Sequence, residues 1–155
     1  MPDPYLDPDR QPHAVLEAMI TRLEERARHP GFAGMIANHV DSLPCDRPLV
    51  VLDLGCGTGV VTRRLAERLH RGSVVRGADV SLGLLRAAER LSQGGGAVWD
   101  HLAPGPLPYP DGTFDAVTMH TLLSHVQDPS AVLRECRRVL KRDGRLIVFD
   151  ADHAG

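Results

Sequence analysis

Leu49-Val50-Val51-Leu52-Asp53-Leu54-Gly55-Cys56-Gly57-Thr58-Gly59 is the stretch that decides the fold. Residues 49–54 are apolar except for Asp53 and stop at a glycine, the pattern of a short strand buried on both faces. Residues 55–59 alternate glycine with Cys56 and Thr58 and lead into residues 60–71, where Val61, Leu65 and Leu69 recur at helical spacing. Glycines at 55, 57 and 59 allow positive φ and leave no Cβ between the backbone and a ligand. Because the turn opens a helix, its unpaired N–H groups point at whatever lies beyond the strand end.

Working outward, the same alternation recurs. Gly72 is expected to cap the helix that ends near 71. Residues 73–79 read as a second strand and 81–92 as a helix with Ser81 as its N-cap. Residues 97–99 read as a short third strand and 114–119 as a fourth. A short helix is expected over 120–126. Asp128-Pro129 then starts a helix as N-cap and first residue, with Val132, Leu133, Cys136, Val139 and Leu140 on one side, running to Gly144. Residues 146–150 form a fifth strand. Upstream, residues 1–12 hold four prolines and read as an extended lead-in. Residues 12–28 carry one apolar helical stripe, stopped by Pro30-Gly31, and a second amphipathic helix follows over 32–43. The expected organisation is one domain in two parts, a tail and helical lid over 1–48 and a core over 49–155.

Strand and helix alternating five times predict an α/β protein, a Rossmann-like parallel sheet of five strands with helices on both faces. Such sheets take ligands beyond the carboxyl ends of their strands, near the point where strand order reverses. That nominates residues 55–59, Asp79, Asp100 and Met119-His120.

Composition sets the outer limits. The chain has 155 residues, the size of one domain, with 43% hydrophobic and 25% charged residues. Its longest aliphatic or aromatic runs are four residues, against roughly 20 for a membrane helix. The acidic, proline-rich start MPDPYLDPDR does not read as a secretory signal. A net charge of −2 gives no electrostatic reason to expect nucleic acid or an anionic membrane as partner. Cys45, Cys56 and Cys136 are odd in number and unpatterned, which fits neither a disulfide framework nor a zinc site; no metal is expected, and a cytoplasmic location is.

Two details of the glycine turn bear on the ligand. The spacing is G-x-G-x-G, with Val60 where the next position falls, whereas a dinucleotide fingerprint wants G-x-G-x-x-G around a pyrophosphate. Asp53 stands two residues before the first glycine; a carboxylate there repels a pyrophosphate and suits a ligand with an ammonium group. Asp79 ends the second strand, where an acid can accept both hydroxyls of a ribose.

These residues resemble a known family. The string Val51–Gly59 is similar to the first motif of class I S-adenosylmethionine-dependent methyltransferases, and Asp79 resembles their ribose-binding acid. "LPYPDGTFDAV" (107–117) and "LRECRRVLKRDGRLIVFD" (133–150) are similar to the branch that includes ubiquinone/menaquinone-biosynthesis C-methyltransferases. The resemblance covers residues 49–150. It implies S-adenosyl-L-methionine as cofactor and a small-molecule methyl acceptor. It also implies roles. Gly55, Cys56, Gly57 and Gly59 form the turn around the methionine part, with Asp53 behind it holding the ammonium directly or through water. Asp79 takes the ribose hydroxyls and Val80 packs on the adenine. Asp100 accepts from the adenine amino group, the backbone of His101 meets its ring, and Met119 and His120 approach the methionine moiety. His120, and with less argument His125, are the candidates for a general base. The two N-terminal helices close the active site, with Tyr5 as part of that lid.

A full domain of this class continues past the fifth strand with a helix and an antiparallel strand pair, which residues 151–155 cannot form. The fifth strand is therefore expected to present an open apolar edge and to pair with a second copy or with a partner chain, the simplest alternative being that the sequence is a truncated piece of a longer chain. Three other readings remain at this point: a nicotinamide-dependent oxidoreductase, a nucleic-acid methyltransferase using the arginine stripes at 64, 68, 71 and 134–142, and a non-catalytic cofactor-binding remnant completed by a partner.

Overall fold

The computed structural model describes residues 3–150, and strand β1, Val50–Leu54, lies at its centre. Before it come helices α1, His13–Arg28, and α2, Pro30–Asp41. After it follow α3 (Val60–Arg68), β2 (Val74–Asp79), α4 (Leu82–Leu91), β3 (Ala97–His101), β4 (Phe114–His120), α5 (Pro129–Val139) and β5 (Leu140–Phe149). The five strands make one parallel sheet in the order β3-β2-β1-β4-β5. β1 sends its crossover to β2 on one side and has β4 on the other, so strand order reverses between β1 and β4, directly beyond the glycine turn.

The apolar run of β1 follows from this position. Val51 and Leu52 have no exposed surface, and they belong to opposite cores. Val51 joins Ile36, Val40, Val61, Leu65 and Val75 under α2 and α3. Leu52 joins Phe114, Val117, Met119, Cys136 and Val139 under α5. The N-caps form as expected: Ser81 Oγ accepts from Leu84 N at 3.1 Å, and Asp128 Oδ1 from Ala131 N at 2.9 Å.

Several boundaries differ from the sequence expectation, each for a local reason. α5 stops at Val139 rather than Gly144, because buried Leu140 already pairs with Phe114. Residues between that pair and Ala116–Arg145 bulge out of the ladder. Gly144 lies in this bulge, where a Cβ would come 2.9 Å from the Leu140 side chain and 3.0 Å from the Lys141 carbonyl. Gly72 does not cap α3, whose chain leaves the helix at Leu69 in an extended conformation and buries that side chain. Pro30 does more than end α1: one residue, His29, separates the helices, and Pro30 is in the first turn of α2. β3 extends to His101 and β4 to His120, so the expected helix over 120–126 shrinks to one 3-10 turn, Leu123–His125. No helix among the described residues is long and apolar enough to cross a membrane.

Candidate functional site

The three turn glycines all have positive φ, and their surroundings separate their roles. A Cβ on Gly59 would lie 2.3 Å from Trp99 Cη2, and one on Gly77 of β2 would lie 2.6 Å from Trp99 Cζ3. Gly59 thus makes room for the indole. A Cβ on Gly55 would collide with Leu122 at 2.5 Å, whereas one on Gly57 would meet only Leu23 at 3.5 Å. Gly57 is therefore the open member of the three.

The turn is latched to the end of β2. Gly55 N and Cys56 N both donate to the Ala78 carbonyl, at 2.8 and 3.1 Å. Gly57 N donates to Asp79 Oδ2 at 2.8 Å, and Ser81 N to Asp79 Oδ1 at 2.9 Å. Burial raises the pKa of Asp79, and the N–H groups of Ser81, Gly57 and Val80 oppose it. Each carboxylate oxygen keeps a lone pair free of these bonds.

Asp53 is buried inside β1. Thr62 Oγ1 donates to its Oδ2 at 2.5 Å, and Thr118 Oγ1 to its Oδ1 at 3.1 Å, clasping it between α3 and β4. Burial pushes its pKa up to about 6, against the pull of the two hydroxyls. Burial also raises the Cys56 thiol, with Asp79 and Asp53 adding to the effect, so Cys56 is not a thiolate nucleophile.

A cavity of about 1340 Å³ opens above these strand ends. Asp53, Gly55, Cys56, Gly57, Asp79, Val80, His101, His120 and His125 line it, whereas Gly59, Asp100 and Met119 do not. Gly59 packs on Trp99, and Met119 is wholly buried in the core under α5. The Asp100 carboxylate is taken by Arg76, at 2.8 and 3.3 Å, and by the Tyr109 hydroxyl at 2.8 Å. His101 turns its Nε2 to the Val80 carbonyl at 3.0 Å. His120 stacks on Phe149, with ring centroids 4.7 Å apart, and meets His39 edge to face at 5.5 Å. Burial, with His39 and Arg26 nearby, pushes the His120 pKa down to about 4, so the ring is neutral at pH 7. The Nε2 atoms of both His120 and His39 are buried without a partner. His125 instead shares a hydrogen bond through Nδ1 with Asp3, and the Tyr5 ring lies 5.1 Å from it.

The N-terminal segment covers this cavity through contacts absent from the sequence reading. Glu24 of α1 accepts from Thr58 Oγ1 at 2.7 Å and from Arg63 Nη2 at 2.9 Å, which ties α1 to the glycine turn. Asp9 accepts from Ser81 Oγ (2.6 Å), Leu82 N (2.7 Å) and Gly83 N (3.0 Å), capping α4 from 72 residues away in sequence. Tyr5, Leu6 and Asp7 line the cavity on the way. Local sequence holds no signal for Asp9, since its partners come from another element. The four-residue spacing of Arg22 and Arg26 on α1 was visible, but only the fold turns both toward the cavity.

A parallel sheet reversing at a glycine turn, with a buried acid at the end of the neighbouring strand, defines a Rossmann-like domain built for a nucleoside-bearing ligand. The comparisons with known proteins narrow this. Residues 52–148 match the family model described as "Methyltransferase domain". The chain belongs to that family, within the class I S-adenosylmethionine-dependent methyltransferases, and it is similar to the branch that includes the quinone-biosynthesis C-methyltransferases. It is 41% identical over 100 residues to the ubiquinone/menaquinone biosynthesis C-methyltransferase of Desulfotalea psychrophila, covering 64% of this chain and 40% of that protein. It is 32% identical over 158 residues to the demethylmenaquinone methyltransferase of Streptomyces avermitilis, covering 94% of this chain and 63% of that one. The chain thus spans about two fifths of the first of these relatives. The solved structure of a SAM-dependent methyltransferase from Aquifex aeolicus superposes with a TM-score of 0.72 at 20% identity, over 89% of this chain and 76% of that one, which shows the shared fold. S-adenosyl-L-methionine is the cofactor of the family.

Proposed function

We propose that this chain grips S-adenosylmethionine between the glycine turn, Asp79 and α1, and that it contributes to methyl transfer onto a small-molecule acceptor. The observation carrying this reading is Asp79. Its carboxylate is buried at the end of β2, tied to the backbone N–H groups of Gly57 and Ser81, and faces the cavity with lone pairs to spare. The residues present fit an adenosyl sulfonium. Asp79 suits two ribose hydroxyls, Gly57 leaves its face of the turn without a Cβ, and Val80 offers a half-exposed apolar surface to a flat base.

When bound, the cofactor supplies an electrophilic methyl group, so the protein needs no nucleophile of its own. The work of this chain is to orient and to exclude water. α1 and residues 3–10 roof the cavity, held by Glu24 at the turn and by Asp9 at α4. For proton removal from an acceptor, His125 suits better than His120. Asp3 holds one nitrogen of His125 and so orients the ring, whereas His120 is a weak base with its Nε2 shut away from the cavity. The relatives are named for methylation in ubiquinone and menaquinone synthesis, which favours a small oxygenated ring as acceptor.

Calorimetric titration of S-adenosylhomocysteine tests the reading. Asp79→Ala is expected to weaken binding at least about tenfold, the loss of hydrogen bonds to a charged group. Equal affinity in both proteins contradicts it. A non-catalytic, cofactor-binding chain completed by a partner predicts the same binding with no methyl transfer to any small acceptor.

A further inference from the structure

Residues 3–10 cross the cavity as two short 3-10 turns, Pro4–Leu6 and Pro8–Arg10, and the two are held very differently. The second is anchored. Pro8 is buried, and Asp9 accepts from Ser81 Oγ, Leu82 N and Gly83 N. Asp7 belongs to this half, since its carboxylate pairs with Arg10 at 3.2 Å and its carbonyl accepts from Gln11 Nε2 at 3.2 Å. The first turn buries no residue, and Leu6 is 46% exposed. Its backbone bonds stay within it: Tyr5 N donates to Asp3 Oδ1 at 3.0 Å and Leu6 N to the Asp3 carbonyl at 3.2 Å. Among the described residues, one hydrogen bond ties residues 3–6 to the body of the protein, between His125 Nδ1 and Asp3 Oδ2, with the Tyr5 ring beside the same imidazole.

A segment with few buried contacts opens at lower cost than a well-bonded neighbour. The joint falls between Leu6 and Asp7, where the two turns meet. The anchored end lies over Asp79, because Ser81 gives its hydroxyl to Asp9 and its N–H to Asp79. The loose end lies over the 3-10 turn Leu123–His125, just past β4. Opening there uncovers the His125 side of the cavity and leaves the Asp79 side roofed.

The same bond fixes the chemistry of His125. Burial opposes the charge of Asp3, but the hydrogen bonds from His125 and Tyr5 N outweigh it and lower its pKa, so Asp3 is a carboxylate and can only accept. Nδ1 must then carry the proton, and the neutral ring keeps its lone pair on Nε2, the atom left to act as a base.

We propose that residues 3–6 are a gate that swings at Asp7, and that Asp3 is a positioning residue carried on it, so that closure over the acceptor and alignment of His125 are one event. The proposal rests on the reading of His125 as the base in a methyl transfer. The cofactor stays held beneath the Asp9 anchor while the acceptor enters, and its methylated product leaves, under the open end.

Nuclear magnetic resonance on the whole chain tests both halves without a ligand. At about pH 8.5, where imidazoles are ordinarily neutral, nitrogen-15 spectra are expected to show His125 as the Nδ1–H tautomer, its signal identified by loss in His125→Gln. Asp3→Ala is expected to abolish that preference, and Asp3→Asn, whose amide oxygen still accepts, to restore it. Amide exchange reports the gate. The Leu6 amide is expected to exchange about tenfold or more faster than those of Leu82 and Gly83, whose acceptor is Asp9. Asp3→Ala is expected to speed Leu6 further while Leu82 and Gly83 hold, and to keep the affinity for S-adenosylhomocysteine within about twofold by calorimetry. An unchanged tautomer in Asp3→Ala overturns the positioning role. Leu82 and Gly83 accelerating together with Leu6 overturns the gate, since residues 3–10 then move as one piece. A loss of S-adenosylhomocysteine affinity of about tenfold in Asp3→Ala places the moving end over the cofactor and overturns its assignment to the acceptor. If wild type binds no S-adenosylhomocysteine while both resonance results hold, the cofactor reading fails and the gate stands as a property of the chain.

Discussion

Replacing Asp53 by asparagine is expected to stabilise the free protein at neutral pH. The carboxyl lies in the interior of β1, held by two threonine hydroxyls and the Thr62 backbone N–H, and burial, with the charge of Asp79 adding to it, lifts its pKa from an ordinary 3.8 to about 6. Between these values the folded protein keeps the proton while the unfolded chain has released it. Stability therefore falls as pH rises through this window and is lowest, as far as this group is concerned, above pH 6. A difference of about two pKa units corresponds to about 3 kcal/mol. Asparagine is nearly isosteric, can still accept from one threonine, and carries no charge. Urea unfolding of both proteins at several pH values between 4 and 8, without ligand, isolates the effect. Carboxylates that are not coupled to Asp53 cancel in the difference between the two proteins, whereas Asp79, whose charge acts on Asp53, changes it in the same direction. The gap in stability, Asp53→Asn minus wild type, is expected to grow by about 2.5 kcal/mol from pH 4 to pH 7. A gap that does not change with pH would refute the argument that Asp53 is an ionised group under desolvation strain.

Gly59→Ala is expected to destabilise by about 3 kcal/mol or more, from a left-handed backbone and a Cβ driven into Trp99. Most of that loss should disappear in a Trp99→Ala background, measured by thermal unfolding; an equal loss in both backgrounds removes the packing explanation. The outer edge of β5, with Leu146 and Val148 exposed, is unpaired among the described residues. The 155-residue chain is accordingly expected to self-associate at high micromolar concentration. Light scattering that reports a clean monomer there counts against pairing through this strand.

How much of this was legible beforehand depends on how local each feature is. The strand-turn-helix around Asp53 and Gly55, the caps at Ser81 and Asp128, and the apolar stripes of α1 and α2 are written in neighbouring residues, and the parallel sheet followed from their order. Where α5 ends was not legible. Leu140 continues the helical stripe of Val132 and Val139, and only its pairing with Phe114 in the sheet draws it out of the helix. The glycine turn shows the same division. All three glycines look alike in sequence, yet Trp99, forty residues on, decides that Gly59 serves packing while Gly57 faces the cavity. Asp100 stands at the end of β3 as its position promised, but Arg76 and Tyr109 claim its oxygens, and no spacing rule announces a cross-strand ion pair.

The most direct measurement is a crystal structure of this chain with S-adenosylhomocysteine bound. The account predicts the ribose hydroxyls within hydrogen-bonding distance of Asp79, the base against Val80 and the amino-acid tail above Gly57 beneath α1. Density for the nucleoside at any other surface, with Asp79 left to Gly57 and Ser81 alone, would contradict it.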